Sequence, residues 1–475
     1  MAGNMAPYSA APPAIDERAN FDLIRHGHQD LVQAVAFNTY GDRCATGSVD
    51  GKIRVFNRHK DGVWRHCDNW GAHAGEILEL QWLPPTIYPN LLASLGIEGR
   101  FKLWAEDPSA APGRRFSNRA STSSAPSTRQ QHPTNAPYDS PLPGGNPSTS
   151  TAASTNPNPK AAFETRNARA PYRSFSMKHV DDSRHTYLAL VSSDGGLTVY
   201  ENTSPDDLAD YTQLDELAVC ARPARGEETA FRVRFDPNPD VCYTALRAGV
   251  PADALSLVVA SMDMVRVYRT RDVVTASLGV ATAGRQLYLA AEIGGHRGLV
   301  RDVAWAPGNI RGYDILATAC QDGYVRVFKV MTPAGGGKDK ALEEGEGEAP
   351  GWGVAEVKKH VRRNAGAAGD DDGGRRGGTA MEAKSGIRVG FDQLRTGGAE
   401  RRTAMDPAQV RHVVTELSRL DSHRTPVWRV GFDDDGHILG SVGDEGKLLC
   451  YRQKPDGTWA KSSELAMMKM KMATP

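Results

Sequence analysis

No run of eighteen apolar residues occurs in the chain, so no segment is expected to cross a membrane as a helix. Nor is there a surplus of either charge. The 57 basic and 57 acidic side chains balance, and no global field favours nucleic acid or a membrane surface. The six cysteines, Cys44, Cys67, Cys220, Cys242, Cys320 and Cys450, form no CxxC pair and no metal-like spacing. They read as reduced, small apolar residues suited to a reducing compartment. There is no Gly-x-Ser-x-Gly elbow and no paired-histidine metal motif. The GGGKDK stretch at Gly335 lacks both the spaced first glycine and the Ser or Thr that a phosphate loop requires. No catalytic residue, cofactor or metal is expected. Residues 1–20 lack a basic-then-apolar signal and read as a flexible tail.

What the chain does contain is one unit repeated. Residues 296–328 read HRGLVRDVAWAPGNIRGYDILATACQDGYVRVF, in which apolar and polar residues alternate at period two around a Gln-Asp-Gly turn. Such a unit predicts three short strands and cannot bury its own faces, so copies must stack beside it. Similar stretches occupy 28–56, 73–104 and 423–451, with weaker ones at 187–200 and 231–268. All six carry an acid before the last strand: Asp50, Glu98, Asp194, Asp263, Asp322 and Asp444. Four open on a histidine: His28, His73, His296 and His423. A leading histidine and a turn acid can meet within a blade as a buried charge-assisted hydrogen bond, which gives both a structural rather than a catalytic role. The terminal Trp-Asp dipeptide is missing throughout, so the repeats are degenerate. The pattern nonetheless predicts an all-β fold, a six-bladed WD-repeat β-propeller.

Two insertions interrupt the repeats. From Pro108 to Ala162 there is no Val, Ile, Met, Trp or Cys, and such a segment cannot bury enough apolar surface to order itself. The second, 331–407, is rich in Gly and in charge of both signs. The expected organisation is therefore a tail (1–20), blades one and two (21–106), a disordered insertion (107–162), blades three to five (163–330), a second disordered insertion (331–407), the outer strand of blade five with blade six (408–466), and a short tail (467–475). Residues 21–25 read as an isolated leading strand. No seventh repeat is found, so the ring is expected to stay open, leaving sheet edges that a partner's strands can cover.

The last repeat, VWRVGFDDDGHILGSVGDEGKLLCY followed by DGTW, resembles the corresponding blade of the SEH-type nucleoporins. So do 28–56, SDGGLTVYEN in blade three, and DVAWAPGNIRGYDILATACQDGYVRVF in blade five. These proteins are WD-repeat relatives of the secretory-coat protein SEC-thirteen. The resemblance spans all six repeats but neither insertion, and the two insertions, longer than that family usually carries, point to a fungal lineage. It implies an open propeller completed by a blade that an α-solenoid nucleoporin donates, within the Y-shaped complex of the nuclear pore's outer ring. It also implies a place in the SEA (GATOR-type) nutrient-signalling complex on the cytoplasmic face of the vacuole or lysosome membrane. A secretory-coat subunit is the alternative, and an enzyme is disfavoured because structural hydrogen bonds account for the recurring acids. Direct nucleic-acid binding and membrane insertion are not expected. The inner strands of the first and last blades become the candidate partner edge: Val32, Val35, Phe37, Val427, Trp428, Val430 and Phe432.

Overall fold

The computed structural model describes residues 24–87, 89–111, 113–116, 160–277, 280–308, 311–332 and 409–466. Each period-two segment is a strand, and each group of four forms one antiparallel sheet in chain order. Blade one is β1 (Val32–Phe37), β2 (Arg43–Ser48), β3 (Lys52–Arg58) and β4 (Trp64–Gly71). Blade two is β5 (Ile77–Trp82), β6 (Leu91–Gly96), β7 (Arg100–Ala105) and β8 (Phe163–Arg166). Blade three is β9 (Tyr172–Val180), β10 (His185–Ser192), β11 (Gly196–Asn202) and β12 (Thr212–Ala218). Blade four is β13 (Phe231–Phe235), β14 (Ser256–Ser261), β15 (Met264–Ser277) and β16 (Val280–Ile293), with a short helix α1 (Tyr243–Arg247) between its first two strands. Blade five is β17 (Val300–Trp305), β18 (Asp314–Cys320), β19 (Val325–Met331) and β20 (Val413–Leu420). Blade six is β21 (Val427–Phe432), β22 (Ile438–Gly443), β23 (Lys447–Gln453) and β24 (Trp459–Ala466).

The first strand of each blade lines a central channel, and neighbouring blades bury their faces together. Along the chain β1 packs on β5, β5 on β9, β9 on β13, β13 on β17 and β17 on β21, but β21 and β1 do not pack together in this way. Between blades one and two lie Ile53, Val55, Trp70, Leu92 and Trp104; between five and six lie Ala317, Val327, Leu439, Leu449, Tyr451 and Trp459. The turns explain the glycines. Gly51 has φ +73°, and a Cβ there would stand 2.4 Å from the carbonyl oxygen of His73, so the turn between β2 and β3 admits only glycine.

Several expected boundaries move. Phe163–Arg166 does not open blade three; it pairs with β7 and closes blade two on the far side of the first insertion. Ile24 and Arg25 are not in a strand, and the rest of the expected leading strand lies outside the described residues. The first insertion also begins inside the core. Phe116 is buried, stacks on Trp70 with centroids 5.2 Å apart, and donates its backbone N–H to Asp68 at 2.7 Å. Burying such a ring contributes roughly 1.5–3 kcal/mol. The rest of both expected disordered segments falls almost wholly outside the described residues.

A buried polar cluster ties blades four and five. Arg269, fully buried, donates from Nε to Nε2 of His412 at 2.7 Å, from Nη1 to Ser256, and from Nη2 to Asp314 at 2.8 Å. With Nε2 accepting, the His412 proton is on Nδ1, which donates to Thr332 at 2.6 Å. Thr332 and His412 flank the second insertion, so its two ends are hydrogen-bonded together. Burial and the Arg269 cation push His412 down to about 3, which keeps it neutral. Burial and the neighbouring Asp314 raise Asp236 to about 6.

Candidate partner interface

The turn acids and histidines meet in three blades. His28 Nδ1 lies 3.2 Å from Asp50 while its Nε2 meets Thr46 at 2.9 Å. His73 repeats this with Glu98 at 2.6 Å and Ser94 at 2.8 Å. In the last blade the acid is not the expected Asp444 but its neighbour: His423 donates to Glu445 at 2.5 Å, and Asp444 accepts from the Trp428 indole. In blade five His296 bonds Thr318 at 3.0 Å, and Asp322 instead takes the buried Arg326 at 2.6 Å. Burial would raise Asp322, but Arg326 and two backbone N–H donors hold it down to about 2. Asp194 accepts from Ser192 within its own turn, and Asp263 occupies the β14–β15 turn without a histidine. In five of the six blades the turn acid directly precedes a positive-φ glycine: Gly51, Gly99, Gly195, Gly323 and Gly446.

Blades one and six each leave a face without a neighbouring blade. On β1 the alternation turns Ala34 and Ala36 toward blade two, while Val35 and Phe37 are 54% and 56% exposed, with Leu31 beside them. Phe37 packs edge-on against Trp64, centroids 5.9 Å apart. On blade six Trp428, Val442 and Leu465 are exposed, and Leu448, paired with both Val442 and Leu465, is half-buried. The candidate edge therefore narrows. Val427 and Val430 are buried against blade five and are not available to a partner, while Phe432 is half-buried and packs edge-on with Trp459 at 5.7 Å. Val32 is only half-buried, at the start of β1. Val442, Leu448 and Leu465 were missed. The period-two alternation of β22 and β23, counted outward from Leu439 and Leu449, is the signal for the first two.

Charged residues that the repeat pattern did not single out line the channel. Glu79 is buried and accepts from Ser174 at 3.0 Å, from the Phe175 N–H at 2.9 Å, from Arg234 at 3.1 Å and from Arg232. Burial opposes its ionisation, but the two guanidinia hold Glu79 below the ordinary carboxylate range. Asp302 accepts the Val430 N–H at 3.2 Å, and burial raises it against the pull of Arg234 and Arg232. Together these bonds link blades two, three and four, and join five to six. The channel they help to line encloses about 940 Å³. Among the described residues no three His, Cys, Asp or Glu side chains are grouped to hold a metal ion, and all six cysteines are free. No helix among them is long and apolar enough to cross a membrane.

The WD domain, G-beta repeat family matches residues 21–57 and 288–329. Nucleoporin SEH1 of Chaetomium thermophilum is 55% identical, over 99% of this chain and 99% of its own length. Nucleoporin SEH1 of Saccharomyces cerevisiae is 25% identical over 90% of this chain and 93% of its own, and that of Schizosaccharomyces pombe 22% over 90% and 91%. A six-bladed WD-repeat propeller that matches a relative at this identity along nearly its whole length belongs to the SEH1 nucleoporin family.

Proposed function

We propose that the chain is a non-enzymatic scaffold subunit of the nuclear pore, within the Y-shaped outer-ring complex, and that an α-solenoid nucleoporin completes its propeller by donating a blade between blades six and one. The observation that carries this reading is the pair of unpartnered blade faces, Val35 and Phe37 on one side, Val442 and Leu465 on the other, with β21 not packed on β1 as the other neighbouring first strands pack on each other. Exposed sheet faces and edges with apolar side chains favour pairing with further strands. The six blades each complete four strands from this chain, so the donated element is an additional sheet rather than a missing strand. The same docking suits membership of the SEA (GATOR-type) complex at the vacuole or lysosome membrane, where the partner again donates a blade. The turn acids and the channel carboxylates act as hydrogen-bond acceptors within the fold, which supports binding rather than catalysis.

The test is co-elution of the full chain with an α-solenoid nucleoporin on a sizing column. Deleting the strand-forming segment of the solenoid partner, or substituting Phe37→Glu together with Val442→Glu, is expected to abolish the complex. A complex that survives both changes would refute blade donation.

A further inference from the structure

The first strands share a local fault that aims side chains at one mouth of the channel. In five of the six, the pairing register slips at the second residue of the strand, passing over Gln33, Leu78, Arg173, Arg301 and Trp428. A bulge leaves the extra residue outside the ladder and redirects its side chain. On β13 the second residue is Arg232, in regular register. All six, with Arg429, line a single cavity of about 360 Å³. Four of these residues are arginines.

The arginines differ in their partners. Arg232 is taken by Glu79 and donates from Nε to the Arg301 carbonyl at 3.1 Å. Arg301 is taken by Glu228 at 2.5 Å, and its guanidinium sits 4.6 Å from the centroid of the Trp428 ring. Both side chains are mostly buried, 14% and 10% exposed, so the two guanidinia are fixed in place. The Nε of Arg301 is buried and makes no hydrogen bond among the described residues. Three carboxylates, Glu79, Asp302 and Glu228, balance three guanidinia, Arg232, Arg234 and Arg301. Arg173 and Arg429 have no acidic partner among the described residues. They leave two positive charges directed at one cavity.

We propose that this mouth of the channel binds a phosphate ester dianion. A phosphomonoester carries about two negative charges at neutral pH and presents three acceptor oxygens, matching two uncompensated guanidinia beside two positioned ones. Guanidinium forks bind such oxygens in pairs, and a single carboxylate would leave one of the two charges unmet. The ester is either a phosphorylated side chain of a peptide or a small free phosphate ester.

The experiment measures fluorescence anisotropy of a labelled Gly/Ala peptide with a single phosphoserine, against its serine twin, on the full chain at low salt. The phosphopeptide is expected to bind about tenfold more tightly or better. Arg173→Glu with Arg429→Glu is expected to abolish that preference, and Arg452→Glu, an exposed arginine of blade six away from this cavity, to keep it. Circular dichroism and urea midpoints establish that each variant is folded. Competition by O-phosphoserine as strong as by the phosphopeptide assigns the site to a small free ester; much weaker competition assigns it to a peptide. Equal binding of phosphorylated and unphosphorylated peptide, or a preference that persists in the folded double variant, overturns the proposal.

Discussion

Replacing Arg269 by Met is expected to destabilise the propeller by about 3–5 kcal/mol, because it orphans a buried carboxylate rather than removing a surface charge. Arg269 and Asp314 are 0% and 1% exposed and meet at 2.8 Å. Met fills a similar volume, so the cavity contribution is small, and the cost comes from polar groups left behind. Asp314 keeps only the Cys242 thiol as a donor among the bonds described, and Ser256 and His412 each lose theirs. Each buried polar group left unsatisfied adds roughly 1–3 kcal/mol, although contributions within one network do not sum. The assay is urea unfolding followed by tryptophan fluorescence, with the midpoint shift read at constant slope. The second arm is Arg269→Met with Asp314→Leu. Removing both charges is expected to recover most of the loss, since a buried ion pair replaced by apolar side chains is often neutral or stabilising. If Arg269→Met costs less than about 1 kcal/mol, or the double variant is no better than the sum of the single ones, the cluster is not an obligate charge pair and the reasoning fails.

His412 gives a pH prediction. Its folded value of about 3 lies below the ordinary 6.5, and His296 is lowered to about 4 in the same way. Between these limits the unfolded chain takes up protons that the folded chain refuses, so stability falls as pH drops below 6.5, by about 1.4 kcal/mol per pH unit for each histidine. Asp236, raised to about 6, opposes this at pH 3.8–6, where the folded chain holds a proton that the unfolded chain has released. Substituting His412→Gln is expected to flatten the decline in urea midpoints between pH 6 and 4; an unchanged slope would count against a neutral buried imidazole. Asp322→Ala removes the acceptor of the buried Arg326 and of the Arg297 and Tyr324 N–H groups, and is expected to lower stability by about 2–4 kcal/mol without altering which partner co-elutes. Stability left intact with partner choice changed would end the structural reading of the turn acids.

The period-two alternation made the blades legible, because burying one face of every strand writes itself into local sequence. The pairing of side chains across a blade was less so. Asp444 and Glu445 are adjacent, and only the acid before the positive-φ Gly446 reaches His423. In blade five the same rule places Asp322 correctly, yet Arg326, two residues into β19, takes the carboxylate from His296. Which of two competing donors wins depends on burial, which sequence does not carry. The exposed faces of the first and last blades were half legible. The first and last blades were recognisable, but the face each strand turns outward changes at the register slips near Gln33 and Trp428. Phe116 was hidden because its apolar anchor stands alone in a polar, proline-rich context.

The bond between Thr332 and His412 bears on how freely this propeller tolerates added sequence. Because Thr332 and His412, which bracket 333–411, are held side by side by blades four and five, whatever length lies between them closes the same short span. Where added residues make no contact with the blades, lengthening a closed span costs only about 0.6 kcal/mol for each doubling. Growth at this position is thus nearly free of consequence for the β-sheets, and an enlarged segment can be acquired, or trimmed away, while the scaffold that carries it keeps its shape.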